Sequence, residues 1–113
     1  MIITKTEPFT KEEIEKLRGE FDSYIKTVID IDKRICSAGA SRHFESEKIL
    51  IDEGSSQRDV WGGGIDIQTK VVGYNSFINI RPNDGNPSDE VLDSSIRKTF
   101  EGITKYFFKT LYE

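Results

Sequence analysis

The chain has 113 residues, 35% hydrophobic and 32% charged, with a net charge of −4, which suits one domain, 1–113, with one modest core. Residues 1–56 carry nine Lys/Arg against twelve Asp/Glu and residues 57–113 seven against eight, so neither half offers the footprint for nucleic acid or an anionic membrane. Cys36 is the only cysteine, which excludes an internal disulfide and a cysteine-rich zinc site; with neither a basic-then-apolar leader nor a membrane-length run, the expected compartment is the cytoplasm.

Met1 to Thr6 is rich in β-branched residues and reads as a short first strand that Pro8 ends. Thr10 and Glu13 have the spacing of a capping box, and Phe9 and Ile14 that of a hydrophobic staple, so a helix starts here. Ile14, Leu17, Phe21 and Tyr24 continue its apolar stripe across Gly19. After Tyr24 the period becomes that of a strand. Ile25, Thr27, Ile29 and Ile31 share one face, and Lys26, Val28, Asp30 and Asp32 the other. Asp32–Arg34 reverses the chain and Ile35–Ala38 returns, a hairpin expected at the centre of an antiparallel sheet.

Gly39–Arg42 reads as a loop running into His43, and Ser46–Glu53 as a short helix closed by Gly54. Val60–Ile67 is a strand interrupted by three glycines, where a bulge or a close approach is expected. Gln68–Tyr74 leads to another strand, Ser76–Arg81, which Pro82 stops, and Asn83–Ser88 is a concentrated turn. Asp93 caps a long last helix whose stripe is Ile96, Phe100, Ile103, Phe107 and Leu111. This order predicts an α+β fold: a mostly antiparallel sheet of about five strands, with two main helices and one short helix packed on one face.

The densest chemistry lies in Gly54–Gly64, which holds the only tryptophan and four of the nine glycines beside Gln57 and Asp59. It lacks the Gly-x-Gly-x-x-Gly and Lys-Ser/Thr patterns of phosphate loops, so nucleotide binding by that route is not expected. His43 is the only histidine, a candidate general base or metal ligand that Glu45, Asp30 or Asp59 could orient, or else a structural hydrogen-bonder at a loop or helix entry, the commoner role for a lone histidine. Asp30 and Asp32 form a carboxylate pair suited to acid–base work or to an ordinary solvated sheet face. Arg81, followed by Asn83, is placed either to bind a carboxylate or phosphate, or to clamp Asp59 or a helix end.

His43, Gln57, Asp59, Trp61, Arg81 and Asn83 therefore form the predicted ligand-binding set, on element ends that one rim of the sheet could gather. No metal and no cofactor is predicted. The first expectation is a binding module for a small anionic ligand or a protein partner. The second is a small hydrolase with His43 as base and Arg81 stabilising developing charge. The third is a homodimer formed through an edge strand or a helix face.

Two polar strings also carry a resemblance. They are Gly54-Ser55-x-Gln57-x-Asp59-x-Trp61-Gly62, with His43 and an acid two positions on before it, and Ser76-Phe77-Ile78-Asn79-Ile80-Arg81-Pro82 followed by Gly85-Asn86-x-Ser88. They resemble an uncharacterised family of small bacterial proteins, a domain of unknown function, over nearly the whole chain. The resemblance implies no activity, cofactor or partner. The chain departs from it at Gly63–Gly64, where a bulkier residue or Asn is expected.

Overall fold

A computed structural model describes residues 1–18 and 23–113. The elements are β1 (Ile3–Lys5), α1 (Lys11–Leu17), β2 (Tyr24–Asp30), β3 (Ile35–Ala38), α2 (His43–Asp52), β4 (Val60–Asp66), β5 (Val72–Gly73) and α3 (Ser94–Phe107). Single 3-10 turns lie at Gln57–Asp59, Phe77–Asn79, Pro82–Asp84 and Lys109–Tyr112.

Local chemistry sets the element starts. The Thr10 hydroxyl accepts from the Glu13 N–H while the Glu13 carboxylate accepts from the Thr10 N–H, so α1 begins in the predicted capping box. Asp93 caps α3 by accepting from the N–H groups of Ser95 and Ile96. Gly54, at φ +105°, closes α2 with the paired bonds of a Schellman motif, Ser55 N to Leu50 O and Gly54 N to Ile51 O. Gly19 and Phe21 lie outside the described residues, and Tyr24 belongs to β2 rather than to the stripe of the first helix.

The sheet runs β1-β3-β2-β4-β5 with every neighbouring pair antiparallel, which puts β2 at its centre. Alternation along β2 gives the sheet two apolar faces. Ile25, Ile29, Trp61 and Ile65 meet Ile14 and Leu17 of α1 and Phe100, Ile103 and Phe107 of α3 in the main core. Val28 and Val60 point the other way and meet Leu50 of α2. A hydroxyl relay from Thr4 through Ser37 to Ser46 adds to that second layer. The helices thus divide between the faces instead of sharing one, because Val28 and Val60 also need cover, which Leu50 of α2 supplies together with Ile35 and Ile78.

Two other expectations change. Ser76–Arg81 is not a strand; the fifth strand is Val72–Gly73, and the Ser76 hydroxyl caps a 3-10 turn by accepting from the Ile78 N–H. Asp30 and Asp32 do not share a strand face. β2 ends at Asp30, whose buried carboxylate accepts from the N–H groups of Asp32 and Lys33 and from the Ser55 hydroxyl. That carboxylate is a turn cap tied to the end of α2.

Candidate functional site

Strand β4 has one fully paired edge and one open edge. β2 pairs with it from Val60 to Asp66, but β5 reaches only Gly64 and Ile65. Side chains complete the open part. The buried Asn79 carboxamide accepts from the Gly62 N–H at 2.8 Å and donates to the Gly62 carbonyl at 2.9 Å. The Arg81 guanidinium donates to the carbonyls of Gln57 and Val60 and stacks on the Trp61 ring, 3.9 Å from its centroid. Asn86 locks the following loop by donating to the carbonyls of Asn79, Ser88 and Glu90 and accepting from the Leu92 N–H. The distinctive polar residues Asn79, Arg81 and Asn86 are therefore fastened to backbone.

The three glycines of β4 meet close neighbours on both faces. A methyl at Gly62 would lie 2.7 Å from Ser76 Cβ, one at Gly63 2.8 Å from the Phe100 ring, and one at Gly64 2.6 Å from the Tyr24 ring. The expected close approach is present, and the approaching groups belong to the chain itself.

On the α2 side of the sheet, a cleft of about 400 Å³ opens between the start of α2 and the Ser76–Ile78 segment. Lys26, Arg42, His43 and Phe44 form one wall, and Ser76, Phe77 and Ile78 the other. It continues into a second hollow lined also by Asn75 and Asp89. Phe44 is 54% exposed and Phe77 84%. Lys26 Nζ donates to the Ser41 carbonyl at 2.6 Å, which holds the ammonium beside the α2 N-terminus.

His43 is the first residue of α2, not a loop residue, and its Nε2 lies 2.7 Å from the Gly63 carbonyl oxygen. Burial lowers its pKa from the ordinary imidazole value, the Gly63 bond opposes this, and the Lys26 charge lowers it further. The imidazole is thus favoured as the neutral base.

Only His43 of the predicted binding set lines the cleft. Gln57 and Asp59 sit in the turn before β4, where the Asp59 carbonyl accepts from the Ile31 N–H. Trp61 is buried in the main core, Arg81 is buried against it, and Asn83 is exposed in the Pro82–Asp84 turn. His43 and Arg81 bond to carbonyls three residues apart on β4, about 10 Å along the strand. Glu45 spends its carboxylate on the Arg42 N–H. Among the described residues neither Glu45 nor Asp59 is hydrogen-bonded to His43.

Lys26, Arg42, Phe44 and Phe77 were missed by sequence reasoning. Lys26 could have been found from its place on the face of β2 opposite Ile25 and Ile29, where it pairs with Gly64 of β4. Phe44 and Phe77 gave no such signal, because an exposed phenylalanine has the same letter as a core one.

A family model described as "Protein of unknown function (DUF5674)" matches residues 1–107 of the chain. No curated protein and no solved structure matches it. Among the described residues no helix is long and apolar enough to cross a membrane.

Proposed function

The chain belongs to the DUF5674 family of proteins of unknown function, and from that premise we propose that it is a binding module whose site is the cleft at the start of α2. Its ligand is a small anion with an apolar body. One observation carries this reading: Lys26 and Arg42 stand in the same cleft as two largely exposed phenylalanines, Phe44 and Phe77. In a chain of net charge −4, that places local positive charge beside uncovered aromatic surface.

The physical argument has two parts. Covering a phenylalanine side chain fully contributes about 1.5–3 kcal/mol, so a ligand lying across Phe44 and Phe77 gains affinity from area alone. The cations then select the sign of its charged group, since charge-assisted bonds to a carboxylate or phosphate exceed neutral ones. A cleft of about 400 Å³ matches a small molecule. The Trp61–Arg81 stack lies outside the cleft, and the two terminal nitrogens of Arg81 are spent on the carbonyls of Gln57 and Val60, which ties the stack to the fold.

The test is calorimetry with phenylacetate and phenylphosphate on the wild type and on a Lys26→Ala/Arg42→Ala double variant. Binding to the wild type and a loss of about tenfold or more in the variant are expected. Equal affinities in the two proteins, or no binding by either probe, would overturn the reading.

A further inference from the structure

The geometry points to a narrower ligand chemistry for this cleft: an aromatic or branched carboxylic acid carrying a neutral O–H on the carbon next to the carboxylate, an α-hydroxy acid in form. The inference rests on the cleft reading above and adds what His43 contributes to it.

The Gly63 carbonyl oxygen, 2.7 Å from His43 Nε2, can only accept a hydrogen bond. Nε2 must therefore carry the ring proton. A neutral imidazole protonated there leaves Nδ1 as a bare acceptor. Among the described residues no group donates to Nδ1, and it is not one of the sealed, partnerless polar atoms of the interior. An open acceptor in a cleft otherwise lined by cations and phenyl rings is matched by a hydroxyl on the ligand.

The sheet register brings Lys26 close to the strand position that His43 touches. Lys26 stands directly across from Gly64, the residue next to the one that holds His43. Directly paired Cα atoms in such a ladder are about 5 Å apart, so the Gly63 carbonyl that His43 reaches from α2 lies one residue along β4 from the point facing Lys26. Both side chains line both halves of the cleft. A carboxylate seated on Lys26 and Arg42 would carry its nearest substituent beside the His43 ring, whose free nitrogen is Nδ1. An ammonium there would be repelled by two cations, whereas a hydroxyl donates without charge. This selects a hydroxy acid over an amino acid. The aryl or branched body then extends toward Phe44 and Phe77, and Asp89 in the adjoining hollow disfavours a second acid group at that end.

The experiment needs no variant, so folding cannot confuse it. The affinities of phenylacetate, mandelate and O-methylmandelate for the wild-type chain are compared, with the His43 ring nitrogens followed by isotope-edited NMR. Mandelate is expected to bind about fivefold to tenfold more tightly than either analogue, the worth of one net hydrogen bond, and it alone to move the Nδ1 resonance. Equal binding of phenylacetate and mandelate would overturn the hydroxy-acid inference while leaving the anion cleft standing. Absence of binding by all three acids would overturn both.

Discussion

Asn79 meets Gly62 as a neighbouring strand would, taking its N–H at 2.8 Å and returning an N–H to its carbonyl at 2.9 Å. One carboxamide thereby extends the sheet past the end of β5 and fixes the segment that forms one wall of the cleft. The same amide nitrogen also lies 3.1 Å from the Asp89 carbonyl and 3.3 Å from that of Tyr74.

Asn79→Ala is accordingly expected to destabilise the fold by about 2–4 kcal/mol, because buried backbone groups lose their partner at once. Asn79→Asp keeps the size and the acceptor but loses the donor, and is expected to cost about as much. Urea unfolding of the two variants measures both. A change below about 0.5 kcal/mol would show that Gly62 finds water instead.

Arg81→Lys separates fold from function. A lysine cannot bond to two carbonyls while stacking flat on Trp61, so a loss of about 1–3 kcal/mol in unfolding free energy is expected. The affinity for aryl acids is expected to stay at the wild-type value, since Arg81 lies outside the cleft. Calorimetry on folded Arg81→Lys checks this, and a drop in affinity comparable to that of the Lys26→Ala/Arg42→Ala variant would return the arginine to the site.

The glycines divide by surroundings. A methyl on Gly63 meets the Gly73 carbonyl and the Phe100 ring, so Gly63→Ala is expected to cost about 1–3 kcal/mol or more. Gly102 lies exposed in α3 with nothing within 4 Å of such a methyl, and Gly102→Ala is expected to stabilise by about 0.5–1 kcal/mol. Thermal unfolding of the two variants should shift in opposite directions.

His43 makes stability depend on acid. Its pKa is lowered in the folded chain, so the unfolded chain binds the proton more readily and protonation favours unfolding. Its contribution is complete above about pH 6.5, the ordinary imidazole value, and is lost as pH falls through the folded value. Lys26 and Arg42, the cations that share its cleft, stay charged through that window and oppose a third positive charge. The difference in unfolding free energy between the wild type and His43→Asn, followed from pH 7.5 to 5, is expected to shrink with acid. A constant difference would mean that the proton is not linked to folding.

Much of this architecture is legible in the letters because its causes are local. The Thr10–Glu13 box, the Asp93 cap, the Gly54 closure and the β2–β3 hairpin are each specified within a few residues. Ser76–Arg81 misleads because Ile78 and Ile80 alternate as a strand would, while a side-chain amide at Asn79 does the pairing that a backbone was expected to do. Trp61 and Arg81 look like ligand-binding residues, but here each packs against the other. The cleft itself is a tertiary property: Lys26, His43 and Phe77 come from three distant segments that meet on β4, where Lys26 faces Gly64, His43 bonds to Gly63 and Asn79 bonds to Gly62.

The most direct test of where the chain binds is an amide and indole NMR titration of the wild type with phenylacetate. The expected result is that the shifts concentrate at Lys26, Arg42–Phe44 and Ser76–Ile78, with the Trp61 indole unmoved. Shifts centred on Gln57, Trp61, Arg81 and Asn83, with Lys26 and His43 silent, would contradict the assignment of the site to the α2 cleft.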